Sequence, residues 1–457
     1  MKIEQHLKNL MKRFAQKGFR AYVVGGAIRN SLLGLKSDDL DVTGEATPDQ
    51  VALLAGEELR IEPRAYGLGT FVIQQWYENV WHVYEYTTFR CDNYGRGGTH
   101  TPKEVRFTKS MKEDALRRDF TINALYADGQ GVLYDPLDRG LQDLRDRLIV
   151  QVNEDTLAQD ALRILRMVRF CCELDFEISP STYACAKEYV HQLANISKER
   201  IRDEFLKILM ADTKYNTKNA VLRGLQILQD LGAFAYIVPQ LLAGENFAQS
   251  TVYHKYPVLE HNIRTCACSE ADIEIRLAAL LHDVAKPAVY MRDSNMYRHD
   301  IDGADTSMQV LQELHIEKET AKNVSTLIRY HMFDLNNDAK KSSVIRMIAK
   351  LGASNFLKLC SLREADFCGS GMGNIAYSAW KWREILQELQ NTGAPLHIEQ
   401  LAVNGNDLKK ELNIPQGKRI GELLKKIQLY AIKKPTQNDY KSLIRYAKIL
   451  NRQTTEN

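Results

Sequence analysis

Hydrophobic and polar positions follow two different periods along this chain. From residue 21 to about 150, short runs rich in Val, Tyr, Thr and Phe alternate with turn signals: AYVVGG at 21–26, DLDVTG at 39–44, GTFVIQQW at 69–76 and VWHVYEYTTF at 80–89. Such runs predict a mixed sheet with a few helices. Beyond Asp155 the apolar positions recur at three- and four-residue intervals, beginning with Leu162, Leu165 and Val168, and they do so with short interruptions to the end of the chain. That spacing predicts helices. The expected fold is therefore α+β, a mixed-sheet head followed by an all-α remainder. A helical part of this size cannot share one core with the sheet. The pattern divides near 150, 250 and 370, giving segments 1–150, 151–250, 251–370 and 371–457. Between the strands and the helices, CDNYGRGGTHTPKEVR at 91–106 reads as a mobile loop beside the sheet.

Composition narrows the class only a little. With 457 residues and 44% apolar content the chain has enough material for several cores, and 61 basic against 58 acidic residues leave a formal charge of +3. That balance excludes a histone-like polycation, so contact with nucleic acid has to come from local basic patches. The eight cysteines show neither C-x-x-C pairs nor the density of a disulfide scaffold, and they read as reduced thiols. No export signal or membrane span is predicted, and the expected compartment is the cytoplasm.

The densest chemistry lies in YVVGGAIRNSLLGLKSDDLDV, residues 22–42. A strand, a glycine pair, a helix and a second acidic strand follow one another. On a strand, Asp39 and Asp41 would face the same side, and two converging carboxylates suit a pair of magnesium ions in phosphoryl transfer. Gly25 and Gly26 allow close approach of a triphosphate, with the following helix N-terminus and Arg29 supplying positive charge.

This combination resembles the signature of class II CCA-adding tRNA nucleotidyltransferases and bacterial poly(A) polymerases, in the DNA polymerase beta superfamily. The resemblance extends to EYTTFR at 85–90, where it implies a third catalytic carboxylate, Glu85. It continues in RRDFTINAL at 117–125, where it implies triphosphate and ribose contacts from Arg118, Asp119 and Asn123, and in DPLDRGLQDLRDRLI at 135–149. QDALRILRMVRF at 159–170 is similar to the family helix that reads the base. Asp160 and Arg163, three apart on one helix face, would offer an acceptor and a donor, which cytosine and adenine match and uracil and guanine do not; Arg166 and Arg169 follow on the same helix as nucleotide-binding residues. The chain departs from the family in having Gln159 where glutamate is usual and Asn30 where aspartate is usual. SKERIRDEFLKIL at 197–209 fits the next helix.

A second resemblance joins VLEHNIRT at 258–265, ALLHDVAKP at 279–287 and LREADF at 362–367 to the H…HD…D pattern of HD phosphohydrolases. It implies His261, His282, Asp283 and Asp366 as ligands of a divalent metal, with His299 and His331 as further metal or phosphate ligands; the alternative is a vestigial helical domain that carries RNA. The tail, with Lys409, Lys410, Lys418, Arg419, Lys425 and Lys426, suits a tRNA-backbone surface.

Together these resemblances imply a nucleotidyltransferase head, a nucleobase-binding neck, an HD-like domain and a tRNA-binding body and tail. The implied activity is template-independent CCA addition to the 3′ end of tRNA from CTP and ATP, with two Mg2+ ions and a monomeric or homodimeric enzyme. A-only addition is an alternative, and so is poly(A) synthesis, which ranks lower because a basic G-R-R-F-x-L-x-H segment is absent. The rival from another class is a metal-dependent phosphohydrolase using the helical site, with the head as an RNA-binding module.

Overall fold

A computed structural model of the chain describes residues 3–37, 40–95, 97–100, 102–373 and 376–455. Two compact units emerge, Met1–Pro239 and Gln240–Asn457. The first carries the predicted sheet. Its strands, in chain order, are β1 (Ala21–Val24), β2 (Asp41–Gly44), β3 (Leu59–Ala65), β4 (Thr70–Tyr77), β5 (Val80–Thr88), β6 (Arg90–Asn93), β7 (Glu104–Phe107), β8 (Tyr126–Ala127) and β9 (Leu133–Tyr134). Seven of them form one sheet in the order β3-β4-β5-β2-β1-β8-β9. Within this sheet β2 and β5 run parallel and the other pairings are antiparallel.

Alternation along the strands separates two faces. One presents Val23, Val42, Tyr86 and Phe71 in cross-strand register, and the amphipathic helix Gln5–Gln16 covers it, with Leu7, Leu10 and Phe14 buried and Phe14 stacked on Tyr86 at 4.9 Å. The opposite face carries the row Val24, Asp41, Glu85 and Val72. A polar row on a central strand pair is unsuited to a core and is free for chemistry.

The segment read as a mobile loop is in part a hairpin. β6 pairs antiparallel with β7, Cys91 opposite Arg106 and Asn93 opposite Glu104. The reading of 159–170 as one helix also needs correction. A short helix Thr156–Gln159 ends, Asp160 adopts an extended backbone (φ −144°, ψ 99°), and a new helix runs Leu162–Leu174. Asp160 breaks the run because its side chain accepts from the Leu162 N–H at 3.0 Å, the competition with the helix that makes aspartate a terminus residue.

The second unit is helical. Its helices include Val258–Cys268, Ile273–Leu281, His299–Glu313, Lys318–Tyr330 and Lys341–Gly369, the last kinked at Gly352, whose φ of +77° suits glycine. A separate apolar cluster around Leu408, Ile427 and Leu443 holds the C-terminal helices together. The expectation of free thiols fails for one pair: Cys268 and Cys368 form a disulfide, while the other six cysteines are free. Cα atoms 6.2 Å apart on two packed helices bring the sulfurs within bonding reach, a juxtaposition that a separation of 100 residues hides from sequence spacing. Among the described residues no helix is long and apolar enough to cross a membrane.

Candidate active site

The glycine pair sits where β1 turns into the helix Gly26–Leu33. Gly25 has φ +74° and ψ −129°, a backbone open to glycine and strained for other residues. From the first turn of that helix Arg29 reaches inward, 3% exposed. It donates to Asn123 Oδ1 at 2.6 Å and to Asn30 Oδ1 at 3.1 and 2.9 Å. Asn30 thus does for Arg29 what an aspartate in its place would do, without the charge, and its amide nitrogen donates to Tyr215 at 2.9 Å. Burial pushes the Arg29 guanidinium below its ordinary pKa.

Asp41 opens β2, is solvent-exposed, and lines a cavity of about 550 Å³ in the first unit. Its partner in register on the parallel neighbour β5 is Glu85, so the two carboxylates share a face of adjacent strands. Glu85 forms an ion pair with Arg64. Asp39 lies outside the described residues.

RRD at 117–119 follows the helix Met111–Leu116. Arg118 donates to Tyr126 Oη and Asp114 Oδ2, both at 3.0 Å, and Arg117 donates to Asp114 Oδ1 at 2.8 Å. Asp114, fully buried, is a positioning residue that the sequence reading missed. Its only signal was a carboxylate three and four positions before two arginines on a helix. Asp119 accepts from Arg166 at 2.9 and 2.6 Å and from the Asn123 amide at 3.0 Å. Burial disfavours the charged form of Asp119, but Arg166 and the Asn123 hydrogen bond outweigh it and hold the carboxyl well below the usual range.

Asp160 and Arg163 both line the cavity. They are not on one helix face as expected, since Asp160 precedes the helix, yet Arg163 Nε still lies 3.6 Å from Asp160 Oδ2. Arg163 also donates to the backbone carbonyls of Arg117 (2.8 Å) and Thr156 (3.2 Å), which fixes its guanidinium. His100, in the connection between β6 and β7, lies with Nδ1 2.8 Å from Asp160 Oδ2. One turn beyond Arg166, Arg169 is held by Glu204 at 2.7 Å from the helix Lys198–Leu209.

The cavity lining has ten arginines and lysines against four aspartates. A chain of nearly neutral total charge therefore concentrates cations around one concave site, as a polyphosphate requires. In the second unit the structure brings His261, His282, Asp283 and Asp366 together and adds His299 and His331, all of them buried.

Comparison with known proteins places this geometry. Residues 21–150 match the family described as "Poly A polymerase head domain", 175–244 match "Probable RNA and SrmB- binding site of polymerase A", and 297–447 match "tRNA nucleotidyltransferase domain 2 putative". The chain is 29% identical to an A-adding tRNA nucleotidyltransferase of Deinococcus radiodurans, over 89% of this chain and 90% of that one. It is 27% identical to a CCA-adding enzyme of Staphylococcus epidermidis, over 97% of each. Among solved structures, the CCA-adding enzyme of Bacillus stearothermophilus in complex with CTP shares the fold with a TM-score of 0.71 and 24% identity, covering 99% of this chain and 98% of that one.

Proposed function

Because this chain belongs to the family of CCA-adding tRNA nucleotidyltransferases and bacterial poly(A) polymerases, we propose that it adds CCA to the 3′ end of tRNA without a template, from CTP and ATP, in the cytoplasm. The observation that carries this reading is the cationic cavity bounded by Asp41 on one side and by Asp160 and Arg163 on another. It offers a carboxylate for the reacting end of a nucleotide and a donor-acceptor pair for its base.

The donor set fits a hard divalent cation, since Asp41 faces the cavity and Glu85 stands beside it on the same face. Asp41 and Glu85, with Asp39, would hold magnesium, which when bound neutralises charge developing on the α-phosphate and the attacking 3′ oxygen. Glu85 also helps to activate the 3′ hydroxyl. Arg29 and Arg118, with the Gly25–Gly26 backbone, receive the triphosphate and the departing pyrophosphate. Asn123, oriented by Asp119, contacts the ribose 2′ hydroxyl.

Asp160 accepts from the exocyclic amino group of C or A and Arg163 donates to the ring nitrogen. The backbone carbonyls that hold Arg163 give it a fixed orientation although Gln159 replaces the usual glutamate. The connection between β6 and β7, which touches Asp160 through His100, is suited to reset the pocket from C to A. Residues 1–150 then act as head and 151–250 as neck, while 251–370 and 371–457 form the HD-like domain and the tRNA-binding body and tail.

The test is incubation of tRNAs ending at the discriminator base, at C and at CC with single labelled nucleotides. CCA addition predicts C on the first two and A only on the third. A single A on the CC end with no C on the others identifies an A-adding enzyme, and long A tails identify a poly(A) polymerase.

A further inference from the structure

The arginines set into the wall of the cavity pair with carboxylates, with one exception among the described residues. Arg118 meets Asp114, Arg166 meets Asp119 and Arg169 meets Glu204 at 3.0, 2.6 and 2.7 Å, and Arg90, Arg117 and Arg163 are paired likewise. Arg29, 3% exposed, is the exception and donates instead to the amide oxygens of Asn30 and Asn123. Glu173 and Asp119 act on it without an ion pair, and both are taken up by other arginines, Arg169 and Arg166.

The difference shows in the direction of each pKa. Burial lowers that of Arg29. At Arg118 burial acts the same way but is outweighed by Tyr126 and Asp114, and at Arg166 it is outweighed by Asp119, so both lie above the ordinary arginine value. A guanidinium keeps its charge under either shift. At Arg29 that charge is left without a counter-ion from the protein.

Asn30 is fixed from its other side. Its Nδ2 donates to the Lys36 carbonyl at 3.1 Å and to Tyr215 Oη at 2.9 Å. A carbonyl only accepts, so the amide nitrogen stays on that side and Oδ1 on the side of Arg29. The charge also stands where a phosphate can reach it. A Cβ at Gly26 would come 3.6 Å from Arg29 Nη2, and one at Gly25 would come 3.8 Å from Arg118 Nη1. Each glycine thus leaves open the space in front of one guanidinium, and all four residues line the cavity.

From this geometry we propose that Asn30 is a positioning residue that sets the strength of triphosphate binding: by holding Arg29 through a neutral amide oxygen, it keeps the guanidinium charge at the glycine pair uncompensated until a polyphosphate neutralises it. The inference rests on the reading of the cavity as a triphosphate site. A carboxylate in the same place would supply the counter-ion itself and compete with the phosphate. CTP, ATP and pyrophosphate share phosphates and not a base, so all three gain alike.

The test is equilibrium binding of inorganic tripolyphosphate to the full chain without divalent metal, beside KM and kcat for single additions of C and A. Asn30→Asp should weaken tripolyphosphate binding at least tenfold and raise KM for CTP and for ATP by the same factor, with a smaller change in kcat. Asn30→Ala cuts the same hydrogen bonds without adding a charge, and should keep at least threefold more affinity than Asn30→Asp. A merely structural role predicts equal losses in the two variants, and that result would overturn the proposal, as would unaltered binding by Asn30→Asp. Arg29→Gln covers the case in which Asn30→Asp does not fold: it should lose at least tenfold, and binding equal to that of the unaltered chain would show that phosphate does not meet this charge. Failure of the transferase reading appears separately, as no incorporation of labelled C or A by the unaltered chain, and the tripolyphosphate comparison can be read even then. An unaltered chain that binds no tripolyphosphate overturns the inference outright.

Discussion

Single side chains in the first unit act mostly through what holds them. Asp114 is the clearest case, a fully buried carboxylate that places Arg117, Arg118 and Tyr126. Burial works against its charged form, but the two arginines and the tyrosine outweigh it and keep its pKa below the ordinary value. A group depressed in the folded state stabilises fully above its unfolded pKa, near 4, and that stability is lost as pH falls through the folded value. Acid unfolding should therefore begin below about pH 4, and Asp114→Asn, which leaves two arginines without their carboxylate, should cost about 3–5 kcal/mol at neutral pH and flatten the acid limb; urea titrations at several pH values check both. Asp160→Asn probes specificity. An amide replaces one acceptor oxygen by a donor, so incorporation of C and A should each fall by the equivalent of about 1–3 kcal/mol, roughly 5- to 150-fold, read from single-nucleotide kcat/KM. Unchanged C and A incorporation would show that Asp160 does not meet the base.

At the scale of elements, the disulfide joins the helix that carries His261 to the helix that carries Asp366. Closing 100 residues of chain restricts the unfolded state, so reduction should lower the stability of the second unit by about 2–4 kcal/mol and leave nucleotide incorporation unchanged; denaturant melts with and without reductant measure the first effect, and the incorporation assay the second. Much of the element order was legible beforehand. Strands around 21–24, 70–77 and 80–88 were visible because Val, Tyr and Thr alternate there, and the helical remainder because its period is long and repeated. Less legible were features set by contacts distant in sequence. The β6–β7 hairpin hid in a glycine-rich stretch, the break at Asp160 hid in a helical period that a capping side chain overrode, and the pairing of Cys268 with Cys368 depends on helix packing alone. For the same reason the sequence pointed to Arg118 and Asp119 through a motif but not to Asp114, which touches neither cavity nor solvent.

Across the whole molecule, a formal charge of +3 on 457 residues conceals a cavity lined mainly by cations. On the proposed function, recognition of triphosphate is local, and the reaction would rest on Asp41, the carboxylate of the acidic row that lines that cavity. Replacing Asp41 by asparagine keeps its size and the sheet register and removes the charge that a divalent cation needs. The decisive measurement is incorporation of labelled CTP into tRNA lacking its CCA end by Asp41→Asn beside the unaltered chain. Loss of a metal ligand is worth several kcal/mol, so a fall of about a thousandfold or more is expected, with the folded state retained by circular dichroism. A well-folded Asp41→Asn enzyme that incorporates C at the original rate would contradict nucleotidyl transfer at this cavity.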